Sequence, residues 1–251
     1  MSIKRRDRYE LKYVIPRSQS QQIVEDLAHY TSPDTNGDDS GQYIVTSLYY
    51  DTADYQSYWD KINGHKYRRK VRTRVYNTQV VTPFTPCYVE IKQRVSQSVQ
   101  KRRLILPYFE AAALCGAGAM MDMTNRSEEE RAIIEEIGYL HTILNLREAC
   151  VVNYKRMAMT TQNYDSGLRV TFDTDLTCRS HDLTLLSSHF ASNHFFLPPD
   201  VCIMEIKTTG KAPYWLSQLI ASHRCTLRRV SKYCTALEAC QMPLHRKELV
   251  L

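Results

Sequence analysis

Eight stretches of the chain read as β-strands, most of them by alternation of apolar and polar residues: Tyr9 to Ile15, Tyr43 to Tyr50, Tyr67 to Tyr76, Cys87 to Val95, Val99 to Leu106, Cys150 to Thr160, Leu168 to Asp175 and Val201 to Lys207. Tyr43 to Tyr50 is read instead from its β-branched and aromatic residues. Apolar residues at helical spacing predict helices from Ser18 through Leu27, over Tyr55 to Ile62, Tyr108 to Met121 and Ser127 to Leu144, and at Ala212 to His223 and Val230 to Cys240. Asp51 and Thr52 offer a cap to the second of these, and Ser127 opens the fourth with Glu128, Glu129 and Glu130 in its first turn, where carboxylates favour the helix dipole. The order of elements argues α+β, with most strands in one antiparallel sheet.

Charge follows the strand period. Residues i and i+2 share a strand face, and on this rule Glu10 joins Lys12; Arg68, Lys70, Arg72 and Arg74 join one another; Glu90 joins Lys92 and Arg94; Lys101 joins Arg103; and Glu205 joins Lys207. Arg156 and Arg169 stand in the remaining strands, Arg169 with Thr171 and Asp173 on its face. A solvated sheet face is polar by default, but it mixes signs, whereas cations dominate here. The alternate positions, among them Leu11, Val71, Val89, Ile91 and Ile206, are apolar, and amphipathic helices are available to cover them. If the helices pack outside, the charged face lines the interior of a curled or closed sheet. Unpaired cations there cost several kcal/mol each, so a polyanion is the expected occupant. The interspersed Glu residues suit Mg²⁺ or Mn²⁺, hard cations that bridge carboxylate and phosphate oxygens.

Composition narrows the picture without redirecting it. At 251 residues with 43% hydrophobic residues, the chain is sized for one globular domain, and its net charge of +6 suggests an anionic partner but is too mild and too dispersed for a nucleic-acid-coating protein. No apolar run approaches the ~20 residues that span a bilayer, which predicts a soluble cytoplasmic protein and leaves room for a membrane-associated partner. Eight cysteines without CxxC spacing indicate neither a zinc site nor a disulfide framework, and reduced thiols are expected. His189 and His194, lacking any ligand spacing, read as surface or core residues. Asp34, Asn36 and Asp38 imitate an EF-hand start, but Asp39 and Val45 occupy its required Gly and Glu positions, so calcium is rejected. Gly116 and Gly118 lack the Lys-Ser/Thr of a P-loop and read as the loosened end of a helix.

Arg8 to Tyr13 (RYELKY), Ser47 to Thr52 (SLYYDT), Arg69 to Tyr76 (RKVRTRVY), Val89 to Lys92 (VEIK), Tyr154 to Arg156 (YKR), Leu168 to Asp173 (LRVTFD), Met204 to Lys207 (MEIK) and Ser231 to Tyr233 (SKY) together resemble the VTC domain of polyphosphate polymerases, within the triphosphate tunnel metalloenzyme (CYTH-like) superfamily. The resemblance covers nearly the whole chain and implies a tunnel domain over residues 1–241, followed by a tail at 242–251. The implied fold is a closed, antiparallel eight-stranded β-tunnel with helices outside, in which the γ-phosphoryl group of ATP passes to a growing polyphosphate chain. It implies catalytic roles for Arg72, Arg74, Lys207 and Lys232; phosphate binding by Lys12, Lys92, Lys101, Arg156 and Arg169, with Arg102 or Arg103 as alternatives to Lys101; and metal ligation by Glu205, with Glu90 and Glu10 as second choices. Hydrolytic relatives carry an ExExK first strand, and Arg8 stands here at its first Glu, which favours the polymerase branch. Two rival readings remain: a metal-dependent triphosphatase that passes the same phosphoryl group to water, and a non-catalytic polyphosphate or nucleotide-binding module. The partners implied are ATP and polyphosphate or pyrophosphate, with no nucleic acid.

Overall fold

A computed structural model describes residues 8–76, 80–96, 98–161, 167–186 and 193–240. The 242–251 tail and His189 lie outside them. The chain order is β1 (Arg8–Pro16), α1 (Arg17–Leu27), β2 (Ser32–Pro33), β3 (Gln42–Asp51), α2 (Gln56–Ile62), β4 (Tyr67–Tyr76), β5 (Pro86–Val95), β6 (Ser98–Pro107), α3 (Tyr108–Ala117), α4 (Glu128–Leu144), β7 (Arg147–Thr160), β8 (Arg169–Arg179), β9 (His194–Phe195), β10 (Val201–Thr209), α5 (Tyr214–Ser222) and α6 (Lys232–Ala239). All eight expected strands and all six expected helices are present, and β2 and β9 are two-residue additions.

Hydrogen bonding orders the strands β1-β10-β8-β7-β3-β4-β5-β6, with β2 on β7 and β9 on β8. Every strand pair whose register is resolved is antiparallel, as the α+β reading requires. The closed barrel is the part of the expectation that this order does not supply. Closure needs the first and last strands to pair, and among the described residues β1 and β6 end the order without pairing to each other. Both end strands carry rows of charge, Glu10 and Lys12 on β1 and Lys101 to Arg103 on β6, a common way of discouraging further strand addition at an edge.

The chain divides into two compact units. The first comprises Met1–Ile44, Tyr154–Leu176 and Leu197–Ser231, and the second Val45–Asn153, Thr177–Phe196 and Lys232–Leu251. In the first unit, Tyr13 and Ile15 of β1, Val170 and Phe172 of β8 and Cys202, Met204 and Ile206 of β10 form one buried cluster with Ile23 and Leu27 of α1 and Leu216 and Leu219 of α5. In the second, Leu48, Val71, Val89, Ile91 and Leu104 do the same with Leu114 of α3 and Ile133, Ile134 and Ile137 of α4. Each unit therefore covers one strand face with helices, and the period of two sends the charged residues to the opposite face.

Local signals hold in detail. Ser127 and Glu130 form a reciprocal capping box that opens α4. Asp51 Oδ1 accepts from the backbone N–H of Thr52 and Ser57, and Thr52 Oγ1 from that of Gln56, so this pair does cap α2. Helix α3 stops four residues short of the expected Met121 because Gly118 takes a left-handed φ of +63°, a conformation that a side chain would strain.

Candidate functional site

The first unit places its charges by strand register. Lys12 lies opposite Glu205, which lies opposite Thr171; Glu10 lies opposite Lys207, which lies opposite Arg169. Glu205 is only 4% exposed, and its two carboxylate oxygens each face an ammonium, Lys12 at 3.1 Å and Lys207 at 3.4 Å. Glu10 reaches the same Lys12 Nζ at 3.1 Å. Burial, with Arg156 and Lys12 nearby, draws the Lys207 ammonium down to about 8, against the opposing pull of Glu205 and Glu10. Beside Glu205 in the sheet, Thr171 Oγ1 is buried without a hydrogen-bond partner among the described residues.

Two arginines of this unit are held by carboxylates. Arg156 donates to both oxygens of Asp173, at 2.6 and 2.7 Å, and both residues are buried. The Arg156 guanidinium is held firmly protonated by Asp173 against the cost of its burial. Arg169 donates to Asp34 Oδ2 at 2.7 Å and to the Tyr43 hydroxyl at 2.8 Å. Asp34, the false start of an EF-hand, thus serves as the partner of a candidate phosphate ligand.

Register also builds the second unit's array. One rung runs Tyr49, Arg72, Glu90, Arg103; a second runs Ser47, Arg74, Tyr88; a third runs Lys70, Lys92, Lys101. Glu90 is 1% exposed and accepts from Arg72 Nε at 2.7 Å and from Arg103 Nε at 3.0 Å, with Lys101 also paired to it. Its carboxyl is held far below the usual range, chiefly by Arg72, Arg74 and Lys101, even though burial opposes ionisation. Arg74, 5% exposed, donates to Ser47 Oγ at 2.8 Å and to the Tyr76 hydroxyl at 3.3 Å. Lys101 and Arg103 share the Glu90 face and both pair with it, whereas Arg102 points the other way, onto Glu136 of α4, with Nε at 2.6 Å from that carboxylate. Lys92 is exposed in the lysine rung, and Lys232 is buried at the start of α6.

This array is rich in positive charge. Three lysines stand directly across three adjacent strands, where like charges repel by roughly 0.2–1 kcal/mol a pair. Tyr49 is 7% exposed, and its burial alone would raise its pKa; Arg72, Arg74 and Lys70 nevertheless bring the phenol down to about 8, Arg72 donating to its oxygen at 3.0 Å. Sequence reasoning placed Lys70 on this face without giving it a role, named Arg103 only as an alternative to Lys101, and gave Tyr49 no role at all. The signal for Tyr49 lay in SLYYDT, but only the register sets it against Arg72. Also unforeseen was Tyr233, which stacks on Tyr49 with ring centroids 4.9 Å apart and donates to buried Asp51 at 2.5 Å.

The residues of the first unit suit a hard divalent cation. Glu205 and Glu10 offer carboxylate oxygens, and the unpartnered Thr171 hydroxyl adds a neutral one in the adjacent register position. Glu90 differs in degree: three cations, Arg72, Arg103 and Lys101, hold its two oxygens, two of them guanidinium groups, against the two ammoniums on Glu205.

A VTC domain model matches residues 7–241. No curated protein matches the sequence. Among solved structures, a candidate adenylyl cyclase from Hippeastrum, described as having a dominant triphosphatase activity, is 15% identical with a TM-score of 0.53, over 91% of this chain and 94% of that one. A candidate adenylate cyclase from Bacillus halodurans is 12% identical with a TM-score of 0.49, over 88% and 92% of the two chains. A protein from Pyrococcus horikoshii OT3 is 13% identical with a TM-score of 0.46, over 92% and 99%. The family match spans almost the whole chain, and the chain belongs to the VTC domain family.

Proposed function

We propose that the chain is a metal-dependent phosphotransferase that binds ATP by its triphosphate and passes the γ-phosphoryl group to the end of a polyphosphate chain, within an enclosure of the kind the family's tunnel provides. The observation that carries a polyanionic ligand is the lysine rung Lys70, Lys92, Lys101 beside a tyrosine whose phenol is pulled down to about 8, in an array where Arg72, Arg74 and Arg103 add three more cations and Glu90 is the one carboxylate of the three rungs. In this reading Glu205, with Glu10 and Thr171 beside it, holds Mg²⁺ or Mn²⁺, and Glu90 is a fixed counter-charge that keeps Arg72, Lys101 and Arg103 aligned rather than a metal ligand.

Phosphoryl transfer asks mainly for positioning and charge neutralisation, with no protein nucleophile. A bound divalent cation would supply additional charge neutralisation at the phosphate oxygens. Arg72 and Arg74, fixed by Glu90 and Ser47, present donors to phosphate oxygens without having to reorganise. Lys207, partly neutral near pH 8 when unliganded, gains its proton as the anion arrives. Lys12, Lys92, Lys101, Arg156, Arg169 and Lys232 complete the proposed phosphate ligands; of these Arg156 is the most constrained, because Asp173 takes two of its donors.

A second reading, a triphosphatase, draws on the triphosphatase activity described for the Hippeastrum protein. Against it stands Arg8, at the position where the hydrolytic relatives carry Glu. Incubation with ATP and Mn²⁺ or Mg²⁺ separates the two: polyphosphate longer than the substrate supports the polymerase, free phosphate alone selects the hydrolase, and tight binding without turnover overturns both. Glu205→Gln is expected to abolish metal-dependent turnover, and full retention would refute the metal role assigned to it.

A further inference from the structure

Outside this machinery, the second unit gathers sulfur and imidazole at one point. Cys178 of β8 lies opposite His194 of β9 in register, and α6 delivers Cys240 to the same place. Cys178 Sγ is 3.6 Å from His194 Nε2 and 3.6 Å from Cys240 Sγ, and Cys240 Sγ is 3.7 Å from His194 Nε2. For a tetrahedral zinc ion, Zn–S of about 2.3 Å and Zn–N of about 2.0–2.1 Å put sulfur and nitrogen about 3.5 Å apart and two sulfurs about 3.8 Å apart. The three observed separations match those edges to within about 0.2 Å, so the three ligand atoms already stand where one zinc ion could reach them all.

We propose that Cys178, His194 and Cys240 bind a structural zinc ion, with Cys150 as the fourth ligand. The Cys150 thiol is buried beside Cys178 and Cys240 and donates to the Val151 carbonyl at 3.4 Å, a bond it would give up on becoming the fourth ligand. Binding would release the thiol protons to solvent, with no change of redox state. The soft, borderline donor set selects zinc over the hard cation assigned to Glu205, so the two sites take different metals. The zinc would tie the short β8–β9 pairing to the end of α6, the helix that begins with Lys232 and places Tyr233 against Asp51. Its role is that of a staple on an element bearing a proposed phosphate ligand. The ligands are separated by up to 90 residues, from Cys150 to Cys240, with no motif spacing, which is why the cysteine pattern gave no sign of a metal.

The test is the metal content of the full chain purified under thiol-reducing conditions, followed by cobalt substitution. The wild type is expected to retain a zinc ion per chain, and the cobalt form to show thiolate-to-cobalt charge transfer with the intense visible bands of tetrahedral cobalt. Glu205→Gln and Cys225→Ser should keep both signals, whereas Cys240→Ser and His194→Ala should lose them. His194 is exposed, so the His194→Ala variant is expected to fold. Cys150→Ser should reduce the charge-transfer intensity. Zinc-free wild type without thiolate–cobalt bands, bands that survive His194→Ala, or a Cys178–Cys240 disulfide in protein made in a reducing cytoplasm would each overturn the assignment. An unchanged Cys150→Ser spectrum would remove Cys150 from it.

Discussion

Binding of ATP in the absence of metal should draw protons from solution at pH 8. Lys207, Lys101 and Tyr49 each have a pKa brought to about 8 in the unliganded chain, the lysines chiefly by burial and the tyrosine by its arginine neighbours against the effect of burial. At pH 8 each is therefore close to half deprotonated. A bound polyanion favours the ammonium in both lysines and the neutral phenol in Tyr49, so all three shift in the direction of proton uptake. The ceiling is about 0.5 proton each, or about 1.5 in total, falling to about 0.1 each at pH 7, one unit below the pKa. Lys101 should contribute the least, because its side chain is 39% exposed and water screens the effect. Calorimetric titration with ATP in buffers of different ionisation enthalpy measures the number directly. Lys207→Met and Tyr49→Phe should each remove about 0.5 proton at pH 8 while leaving the other contribution in place. No uptake at pH 8, or proton release, would show that the anion does not meet these groups and would refute the electrostatic reasoning.

Asp173→Ala should cost about 3–5 kcal/mol in urea unfolding, because it leaves the buried Arg156 guanidinium without its bidentate partner. Replacing both residues by apolar ones of similar size should recover much of that loss, and a single-variant cost below about 1 kcal/mol would contradict the burial argument. Glu90→Gln should destabilise the chain at pH 7 and weaken its response to acid. Because the folded-state pKa of Glu90 is depressed, its contribution is fully present above the ordinary carboxylate range and is lost only as pH falls through the much lower folded value, so an acid-unfolding series in which wild type and variant differ only above pH 7 would disprove it.

The elements were legible in the sequence because the period of two and the period of 3.6 are local properties. RYELKY and MEIK each announce a strand with one charged face, and Ser127 with Glu130 announces a helix start. The same period sorted Lys12, Arg72, Arg74, Lys92, Lys101, Arg156, Arg169, Glu205 and Lys207 onto polar strand faces. It could not say how water-exposed those faces are. Glu205, Glu90, Arg74 and Arg156 are nearly excluded from solvent, while Lys92 in the same pattern is exposed.

What the sequence by itself determined was which residues can share a face, since alternation along a strand follows from backbone geometry alone. Tertiary structure decided which faces meet which partners. Register between distant strands set Glu205 between Lys12 and Thr171 and surrounded Glu90 with cations, and the linear strand order left β1 and β6 unpaired with each other among the described residues. It also carried Cys240 and His194 to Cys178 across 62 and 16 residues of chain. Pairing across such separations depends on the free energy of the whole packed fold, to which each local segment contributes only a part, so no local pattern could have encoded it.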